Sequence, residues 1–393
     1  MSLQNETAPP PLGRAIRHAF ALDPDWLTIG HGAYGATPRA VLAVQDAWRA
    51  RMEAQPTRFF KAILPGAIRE AAAALAAYLG GEPEDLAFVE NATAGCNAVL
   101  QSFPLAPEDE ILVLDHGYRA VRNAARHVAT RAGARIVTVH VPWPDPDPEE
   151  IVARVAAAIT ASTRLAILDH VTSPSALVLP IDALVRACHA VGVRVLVDGA
   201  HAPGLVPLDI PAIGADWYVG NCHKWLMAPK GSGFLWARRD RQDRLHPVVI
   251  SHPYGEGFPA EFDYTGTRDS TAWLAVPAAL DFCASLGGPA LMRRNAELAR
   301  QGGEILASRL GTQVGAAPAL CAAMASVRLP WRGPATREAS LLLRERLLDR
   351  RTDAPVHPIG DGLWLRLSAQ AYNEPADYED LAERCAATFA EAA

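Results

Sequence analysis

Apolar runs of four or five residues alternate with alanine-rich helical stretches between about residues 85 and 236. Most of these runs are continuously apolar, which is typical of strands covered by helices on both faces. The connection 220–231 is too short for a crossover helix, so we expect the last strand to be antiparallel to its predecessor. The pattern predicts an α/β domain with a seven-stranded, mostly parallel sheet and one antiparallel strand. The predicted strands are Leu86–Val89, Ile111–Leu114, Arg135–Val139, Leu165–Leu168, Val193–Val197, Asp216–Val219 and Ser232–Trp236.

After about residue 270 the apolar positions recur at helical spacing over longer stretches, which predicts a smaller α+β domain. The large domain then covers residues 21–269 and the small domain residues 270–393. We predict that residues 1–20 form an N-terminal arm. The first part of this segment is polar and proline-rich and lacks the apolar core of a signal peptide. The elements predicted for the small domain are helices at Thr271–Ser285, Leu291–Leu310, Glu338–Leu348 and from Pro375, and strands at Ser326–Leu329 and Leu363–Leu367.

The composition excludes several classes of protein. The 393 residues are 50% hydrophobic, which suffices for two ordinary cores and excludes a disordered chain. The net charge of −6 gives no general attraction to nucleic acid or to an anionic membrane, so an anionic ligand needs a local site. Scattered cysteines without a CxxC pair predict reduced thiols and a cytoplasmic protein, and no uncharged apolar run is long enough to predict a membrane span.

Titratable and small residues follow the predicted strands, at the sheet edge where α/β proteins bind ligands. Thr93, at a helix N-terminus, can hold a phosphate. Asp198, after an apolar strand, can keep a ring nitrogen protonated, and Lys224 lies in a confined turn where a lowered pKa favours Schiff-base chemistry. With His223 as a second donor to the phosphate, these residues predict a pyridoxal 5′-phosphate site.

Lysine is scarce in this chain, which contains only Lys61, Lys224 and Lys230 beside many arginines. Arginine stays protonated and cannot form a Schiff base. The scarcity therefore restricts the candidates for the cofactor lysine to three, of which Lys224 directly follows His223 at the predicted ligand-binding edge of the sheet.

Three further motifs carry a family resemblance: DGAHAPG at 198–204, GADWYVGNCHKWLMAPKGSGFLW at 214–236 and YTGTRD at 264–269. With GHGAYGATP at 30–38, NATAGCNAVL at 91–100 and LRLSAQAYN at 365–373, the chain resembles the class V aminotransferase family of fold-type-I pyridoxal phosphate enzymes. The resemblance is strongest to the isopenicillin N epimerase-like branch and spans nearly the whole chain.

The resemblance implies roles for individual residues. Lys224 carries the cofactor, Asp198 pairs with its ring nitrogen, and His201 lies near its phenolic oxygen. The remaining residues implied are Ala92, Thr93 and His223 at the phosphate, Ser173 and Tyr118 on the ring side, Thr267 at the phosphate of the partner subunit in a homodimer, and Arg366 with His31 and Gly32 at the substrate carboxylate. The family usually has an asparagine where Gly30 precedes His31.

Several of these positions have an alternative interpretation. His201 and His223, taken alone, would more often be structural histidines, and the choice between Tyr118 and His116 as the ring-stacking residue stays open. Arg366 lies in an alternating strand, so a solvated arginine remains possible.

Two motifs are set aside. Gly30–Gly35 matches GxGxxG, but no strand with a terminal acid follows, so a nicotinamide dehydrogenase is disfavoured. The histidines lack metal-ligand spacing, and we expect no zinc.

The reaction is less constrained than the cofactor. We expect chemistry at Cα of an amino acid or amino-acid derivative, by an epimerase-like mechanism. A β-elimination C–S lyase, as in the ergothioneine-pathway members of the branch, and an aminotransferase remain alternatives, as does a non-catalytic regulatory relative. A thiol-dependent desulfurase is disfavoured, because residues 351–364, before Arg366, contain no cysteine.

Overall fold

A computed structural model describes residues 10–390 of the chain. The strands are β1 Leu27–Thr28, β2 Leu86–Val89, β3 Glu110–Leu114, β4 Arg135–Val139, β5 Thr163–Asp169, β6 Arg194–Gly199, β7 Trp217–Asn221, β8 Gly233–Ala237, β9 Met324–Arg328, β10 Thr352–Asp353, β11 Val356–Ile359 and β12 Gly362–Ser368. The α-helices are α1 His31–Tyr34, α2 Arg39–Ala54, α3 Pro56–Arg58, α4 Leu64–Leu79, α5 Ala92–Ser102, α6 Arg119–Ala132, α7 Pro148–Ala158, α8 Ile181–His189, α9 Ile210–Ile213, α10 Ala260–Asp263, α11 Thr271–Leu274, α12 Val276–Ser285, α13 Pro289–Leu310, α14 Arg337–Asp349 and α15 Pro375–Ala390.

The main sheet contains all seven predicted strands, in the order β2-β8-β7-β6-β5-β3-β4. Strand β8 is antiparallel to both β7 and β2, whereas the other pairs are parallel. The predicted fold class is therefore confirmed. Buried side chains on one sheet face pack with α4, α7 and α8, and those on the other face pack with α5 and α6. Helices on both faces explain why the strands are continuously apolar.

The C-terminal part of the chain, predicted as the small domain, contains a three-stranded antiparallel sheet in the order β11-β12-β9; α13 packs on β9 and β12, α15 packs on α13, and α14 packs on β11. The helix predicted at Thr271–Ser285 is divided into α11 and α12 at Ala275. Pro277 follows the break, and a proline cannot donate the intrahelical hydrogen bond that a continuous helix needs there. Strand β11 was not predicted from the sequence, because Pro358 interrupts its pattern; a proline is tolerated there on an edge strand.

The first residues of the predicted arm, 1–9, lie outside the described residues. Gly13–Ala19 form a 3₁₀-helix, and its Ile16 is buried together with the following Phe20. The ring of Phe20 packs edge-on against Tyr372, with ring centroids 5.0 Å apart. This part of the chain therefore packs against the small domain.

The helical stretch Pro56–Leu79 is long and apolar enough to cross a membrane by length and composition. The sequence alone did not indicate an apolar helix of this length. The helix is this long because a π-helical segment, Phe59–Ile63, joins α3 to α4. The apolar face of α4, including Ile68 and Leu75, is buried in the core of the large domain. A core helix passes the same test, so this single stretch is weak evidence for a membrane span.

Candidate active site

A cavity of about 460 Å³ lies beyond the carboxyl ends of β6 and β7, beside the N-terminus of α5. This is the sheet edge at which open α/β folds bind ligands. The residues predicted for the cofactor that line it are Ala92, Thr93, Tyr118, Asp198, His223 and Lys224.

Lys224 is buried and lies beside His201, with Nζ and Nε2 3.2 Å apart. The indole N–H of Trp225 donates to Nδ1 of His201 at 3.4 Å. Because Nδ1 accepts this bond, the proton of the neutral imidazole is on Nε2. An Nε2–H group can donate to Lys224 only when the amine is uncharged, so the contact favours the neutral lysine.

The electrostatics of the pair agree with this arrangement. Burial, and next the charge of Arg366, lower the pKa of Lys224 to about 7, while the charge of Asp198 opposes the shift. Burial and the charge of Lys224 hold the pKa of His201 well below its usual value. An uncharged amine is the nucleophile that condenses with an aldehyde, so Lys224 is suited to carry the cofactor.

Asp198 is buried at the end of β6, where its Oδ1 accepts a hydrogen bond of 3.0 Å from the Ala200 N–H. Burial raises its pKa, while that hydrogen bond and the charge of Lys224 lower it. Asp169 lies directly beside it in the register of β5 and β6. Burial and the charge of Asp198 raise the pKa of Asp169 well above its usual value, so the two acids favour a single negative charge.

The N-terminus of α5 forms the anion-binding end of the cavity. The Ala92 N–H donates to Oδ1 of Asn221 at 2.8 Å, and the Ala94 N–H donates to the Asn91 side chain. Among the described residues, the Thr93 N–H has no acceptor. A free N–H at a helix N-terminus favours a phosphate.

His223 lines the same end of the cavity, and a backbone carbonyl oxygen fixes the orientation of its ring. Its Nδ1 lies 2.9 Å from the carbonyl oxygen of Ser232, to which it donates. Burial lowers its pKa to about 4, so the neutral form leaves an acceptor on Nε2. A phosphate dianion near Nε2 would favour the protonated ring, and only in that form can His223 donate to it.

Arg366 is only 2% exposed, which excludes the solvated alternative. It points away from the core packed by Leu365 and Leu367, and its Nη1 donates to the carbonyl oxygen of Ser173 at 2.5 Å and to the hydroxyl at 3.2 Å. Neither Nε nor Nη2 hydrogen-bonds to a described residue, and Nε is buried. These two donors form the edge of a guanidinium that can bind a carboxylate in a bidentate manner.

The structure separates the two candidates for ring stacking. Tyr118 lines the cavity. Burial and the charge of Asp198 raise its pKa, while the charge of Arg366 lowers it. His116 is buried elsewhere, with Nδ1 2.9 Å from the Ser175 hydroxyl. Tyr118 is therefore the one that can contact a ligand next to Lys224.

His31 and Gly32, predicted to bind the substrate, are not among the residues that line this cavity. The Nδ1 of His31 lies 2.9 Å from the Tyr372 hydroxyl, and its Nε2 lies 3.1 Å from the carbonyl oxygen of Lys224. The Gly32 N–H donates to the Ser368 hydroxyl at 3.1 Å. The polar groups of both residues are engaged by protein partners, and His31 contacts the backbone of Lys224; their role at the substrate stays a prediction.

Thr267 is exposed and does not line the cavity of its own chain. Its hydroxyl lies 3.2 Å from that of Tyr264. The next residue, Arg268, forms a salt bridge with Glu90, which does line the cavity. The segment therefore lies next to the mouth of the cavity, with Thr267 on the outside.

Sequence reasoning missed three residues of the site. Trp225 was given no role, and no feature of the sequence indicates its bond to His201. Asn221 is part of the quoted motif. Its position just after the predicted strand Asp216–Val219 could have suggested a bond to the neighbouring helix. Tyr34 lines the cavity from the N-terminal loop, which the sequence could not position.

The residues of the cavity fit pyridoxal 5′-phosphate. A free N–H at the start of α5 suits its phosphate, and the negative charge shared by Asp198 and Asp169 suits a protonated ring nitrogen. Lys224 supplies the only lysine amine that lines the cavity among the described residues.

The comparisons with curated proteins agree with this geometry. The chain is 39% identical over 388 residues to the isopenicillin N epimerase of Amycolatopsis lactamdurans, with 93% of this chain and 96% of that protein covered. It is 36% identical over 386 residues to the isopenicillin N epimerase of Streptomyces clavuligerus, with the same coverage. A probable chloroplastic L-cysteine desulfhydrase of Arabidopsis thaliana is 34% identical over 389 residues, covering 91% of this chain and 82% of that protein.

Solved structures share the fold. A mutant of C-DES with glycine covalently linked to the pyridoxal phosphate cofactor superposes with a TM-score of 0.80 at 22% identity, covering 94% of this chain and 98% of the other. The Escherichia coli cysteine desulfurase CsdA superposes with a TM-score of 0.77 at 20% identity, covering 96% and 98%. Residues 35–346 match the aminotransferase class-V family. The chain belongs to the class V aminotransferase family and is a fold-type-I, pyridoxal phosphate-dependent enzyme.

Proposed function

We propose that this enzyme acts at Cα of an amino acid or amino-acid derivative, with epimerase-like chemistry as the first candidate. The observation that carries the proposal is the juxtaposition of Lys224, whose amine has a lowered pKa, with the open donor edge of Arg366. The first group can accept a proton at Nζ, and the second can hold an α-carboxylate.

The cofactor would be held by residues from several elements. Thr93 and His223 would bind the phosphate, Asp198 would keep the ring nitrogen protonated, and Tyr118 would lie against the ring. The Nε2–H of His201, fixed by Trp225, would face the phenolic oxygen. When bound, pyridoxal phosphate withdraws electrons from the substrate and weakens the bonds at Cα.

The chain's own residues orient the substrate and move the proton. Arg366 would bind the α-carboxylate through Nε and Nη2, while Ser173 fixes the guanidinium plane through Nη1. Lys224 would take the Cα proton and return it. Epimerisation also needs a donor on the opposite side of Cα, and Tyr34 and Tyr118 line the same cavity.

The relatives support two reactions. The two isopenicillin N epimerases are matched over 96% of their length, which favours epimerase-like chemistry. The second candidate is β-elimination with C–S cleavage, favoured by the L-cysteine desulfhydrases among the relatives. Thiol-dependent desulfurisation has no support, because no cysteine lines the cavity and burial raises the pKa of Cys321 to about 11.

A panel of L- and D-amino acids in deuterated water tests the proposal. The holoenzyme should exchange the Cα proton of at least one of them, and NMR would report the exchange. Inverted configuration identifies an epimerase, pyruvate with sulfide identifies a lyase, and a keto acid without sulfide identifies an aminotransferase. Lys224→Ala should abolish exchange, while the exposed Lys61→Ala should leave it unchanged. A holoenzyme that exchanges no Cα proton would refute the proposal and favour a non-catalytic relative.

We also propose a homodimer in which Thr267 reaches the phosphate bound by the partner subunit. The exposed position of Thr267 beside the Arg268–Glu90 salt bridge at the cavity mouth supports this. Light scattering should give twice the mass of the 42.0 kDa chain. Thr267→Val should weaken cofactor binding without dissociating the dimer, and Thr265→Val should not. If the protein is a monomer and still binds the cofactor tightly, the assignment of Thr267 to the partner's phosphate is refuted.

A cytoplasmic location remains part of the proposal. Its support is that all six cysteines are free thiols, as expected in a reducing compartment. Fractionation of the producing cell would test it.

A further inference from the structure

A second cavity of about 850 Å³ lies between the large and small domains. Tyr118 lines both this groove and the cavity of Lys224, so the two are adjacent. Ser173, which holds Arg366, also lines the groove. A substrate bound through its α-carboxylate at Arg366 would therefore direct its side chain into this groove.

The groove is strongly basic in a chain whose net charge is −6. Four arginines line it, and none of them forms a salt bridge within residues 10–390. Among the lining residues that are described, Asp115 is the one acid, and it is already engaged: its Oδ2 lies 2.6 Å from Nδ1 of His140. The four arginines are Arg119, Arg122, Arg337 and Arg344.

Three buried nitrogens of the groove have no hydrogen-bond partner. They are Nε of Arg122, Nε1 of Trp143 and Nε2 of His357, and all three residues line the same groove. Buried polar atoms are nearly always paired in folded proteins, and the clustering of three unpaired nitrogens in one groove supports a bound ligand or water there. Two of these atoms are N–H donors, which suits a ligand rich in acceptors.

The inner end of the groove is electrostatically continuous with Arg366. Burial, and next the charge of Arg344, lower the pKa of Arg366; burial, followed by the charges of Arg366 and Arg344, lowers the pKa of His357 to about 3. Unpaired like charges held this close are destabilising unless an anion joins them. Asp353 is an acid whose charge acts on both Arg344 and Arg366, but among the described residues no carboxylate forms a salt bridge with any of the four groove arginines.

We infer that the groove binds a second anionic group, a carboxylate at the far end of the substrate's side chain. The inference rests on the proposed function, because it assumes an amino acid bound at Arg366. It specifies the substrate class: an amino acid with a side chain longer than that of cysteine and a distal carboxylate. Cysteine itself would leave the groove unfilled and its arginines unpaired.

Two substrates that differ only at the distal group test this: S-carboxymethyl-L-cysteine, which carries a carboxylate, and S-carboxamidomethyl-L-cysteine, its neutral amide analogue. With the holoenzyme, kcat/KM for Cα-proton exchange should favour the carboxylate by about 10- to 100-fold, as expected for hydrogen bonds to a charged group. Arg122→Gln combined with Arg344→Gln should remove most of this preference. Arg346→Gln, on the same helix but outside the groove, should preserve it.

A binding measurement separates this inference from the proposed function. Calorimetry with glutarate, a dicarboxylate without an amino group, should show weaker binding to the double variant than to the unmodified holoenzyme. If neither these cysteine derivatives nor any amino acid of the panel exchanges its proton, the proposed function fails, and glutarate binding still decides whether the groove recognises anions. If the double variant does not fold, the preference in the unmodified enzyme should fall as salt is added. Equal rates with both substrates, or a preference unchanged in the double variant, would overturn the inference.

Discussion

The indole N–H of Trp225 donates to Nδ1 of His201, on the side of the imidazole opposite Lys224. The bond fixes which nitrogen of His201 carries the proton, and so fixes the direction of the contact with Lys224. Trp225, which follows Lys224 in sequence, therefore determines through His201 how Lys224 is hydrogen-bonded.

Trp225→Phe should keep the ring packing and remove the donor. His201 could then adopt either tautomer, and we expect the rate of Cα-proton exchange to fall by about 2- to 10-fold, the effect of one neutral hydrogen bond. Exchange would be followed by NMR with cofactor saturating. Trp217→Phe is the matched control, since Nε1 of Trp217 is buried without a partner. Equal rates for Trp225→Phe and the unmodified enzyme would show that the bond has no role in positioning.

The lowered pKa of Lys224 predicts how the cofactor-free protein captures pyridoxal phosphate. Only the uncharged amine reacts, so the rate should rise with pH and level off above about pH 7, near the pKa of Lys224. The charge of Arg366 contributes to the lowering, so Arg366→Gln should move the midpoint to higher pH. The visible absorbance of the bound cofactor would report the rate at each pH. A midpoint near the ordinary pKa of lysine in the unmodified protein would contradict the prediction.

Gly35 allows the N-terminal loop to approach the turn that carries Lys224. Its φ is +72°, and a Cβ added there would lie 1.9 Å from the carbonyl oxygen of His223. Gly192 has a similar φ of +79° but has no atom within 4 Å of such a Cβ, so Gly192→Ala measures the conformational cost alone. We expect Gly35→Ala to lower the free energy of unfolding by about 1–3 kcal/mol more than Gly192→Ala, because of the steric clash.

Urea-induced unfolding of both variants would measure this difference. Gly35→Ala should also weaken cofactor binding, because relief of the clash displaces the backbone at His223 and Lys224. Equal losses of stability in the two variants would mean that the loop moves aside without cost.

The sequence predicted the parts of the site that depend on strand ends. The main-sheet strands are continuously apolar, so Asp198 at the end of β6 and the turn after β7 could be placed on one edge before the structure was known. Side chains whose positions depend on distant pairing could not be placed. His31 bonds to Tyr372, 341 residues later, a contact that the sequence pattern does not indicate. The basic groove likewise combines arginines from two domains whose relative position the sequence pattern does not specify.

Asp198 and Asp169 should differ sharply in their response to the same substitution. They lie side by side in the register of β5 and β6, and the charge of Asp198 helps to raise the pKa of Asp169. We therefore expect Asp198 to be the ionised acid and Asp169 to hold the proton. Asp198→Asn would remove the charge that a protonated ring nitrogen needs, and should weaken cofactor binding by about 3–5 kcal/mol, as when one partner of a buried ion pair is lost.

Asp169→Asn resembles the protonated acid and keeps an acceptor for the Tyr118 N–H, which Oδ1 of Asp169 accepts at 3.2 Å. Cofactor affinity, measured by fluorescence titration, should stay within about threefold of that of the unmodified protein. This change is smaller than the loss of one typical hydrogen bond would cause. Because the folded-state pKa of Asp169 is raised, its ionisation lowers stability as the pH rises from the unfolded-state pKa to the folded-state pKa. Asp169→Asn removes that loss, so its stability relative to the unmodified protein should increase with pH over this range. A large loss of cofactor affinity in Asp169→Asn would instead assign the charge to Asp169.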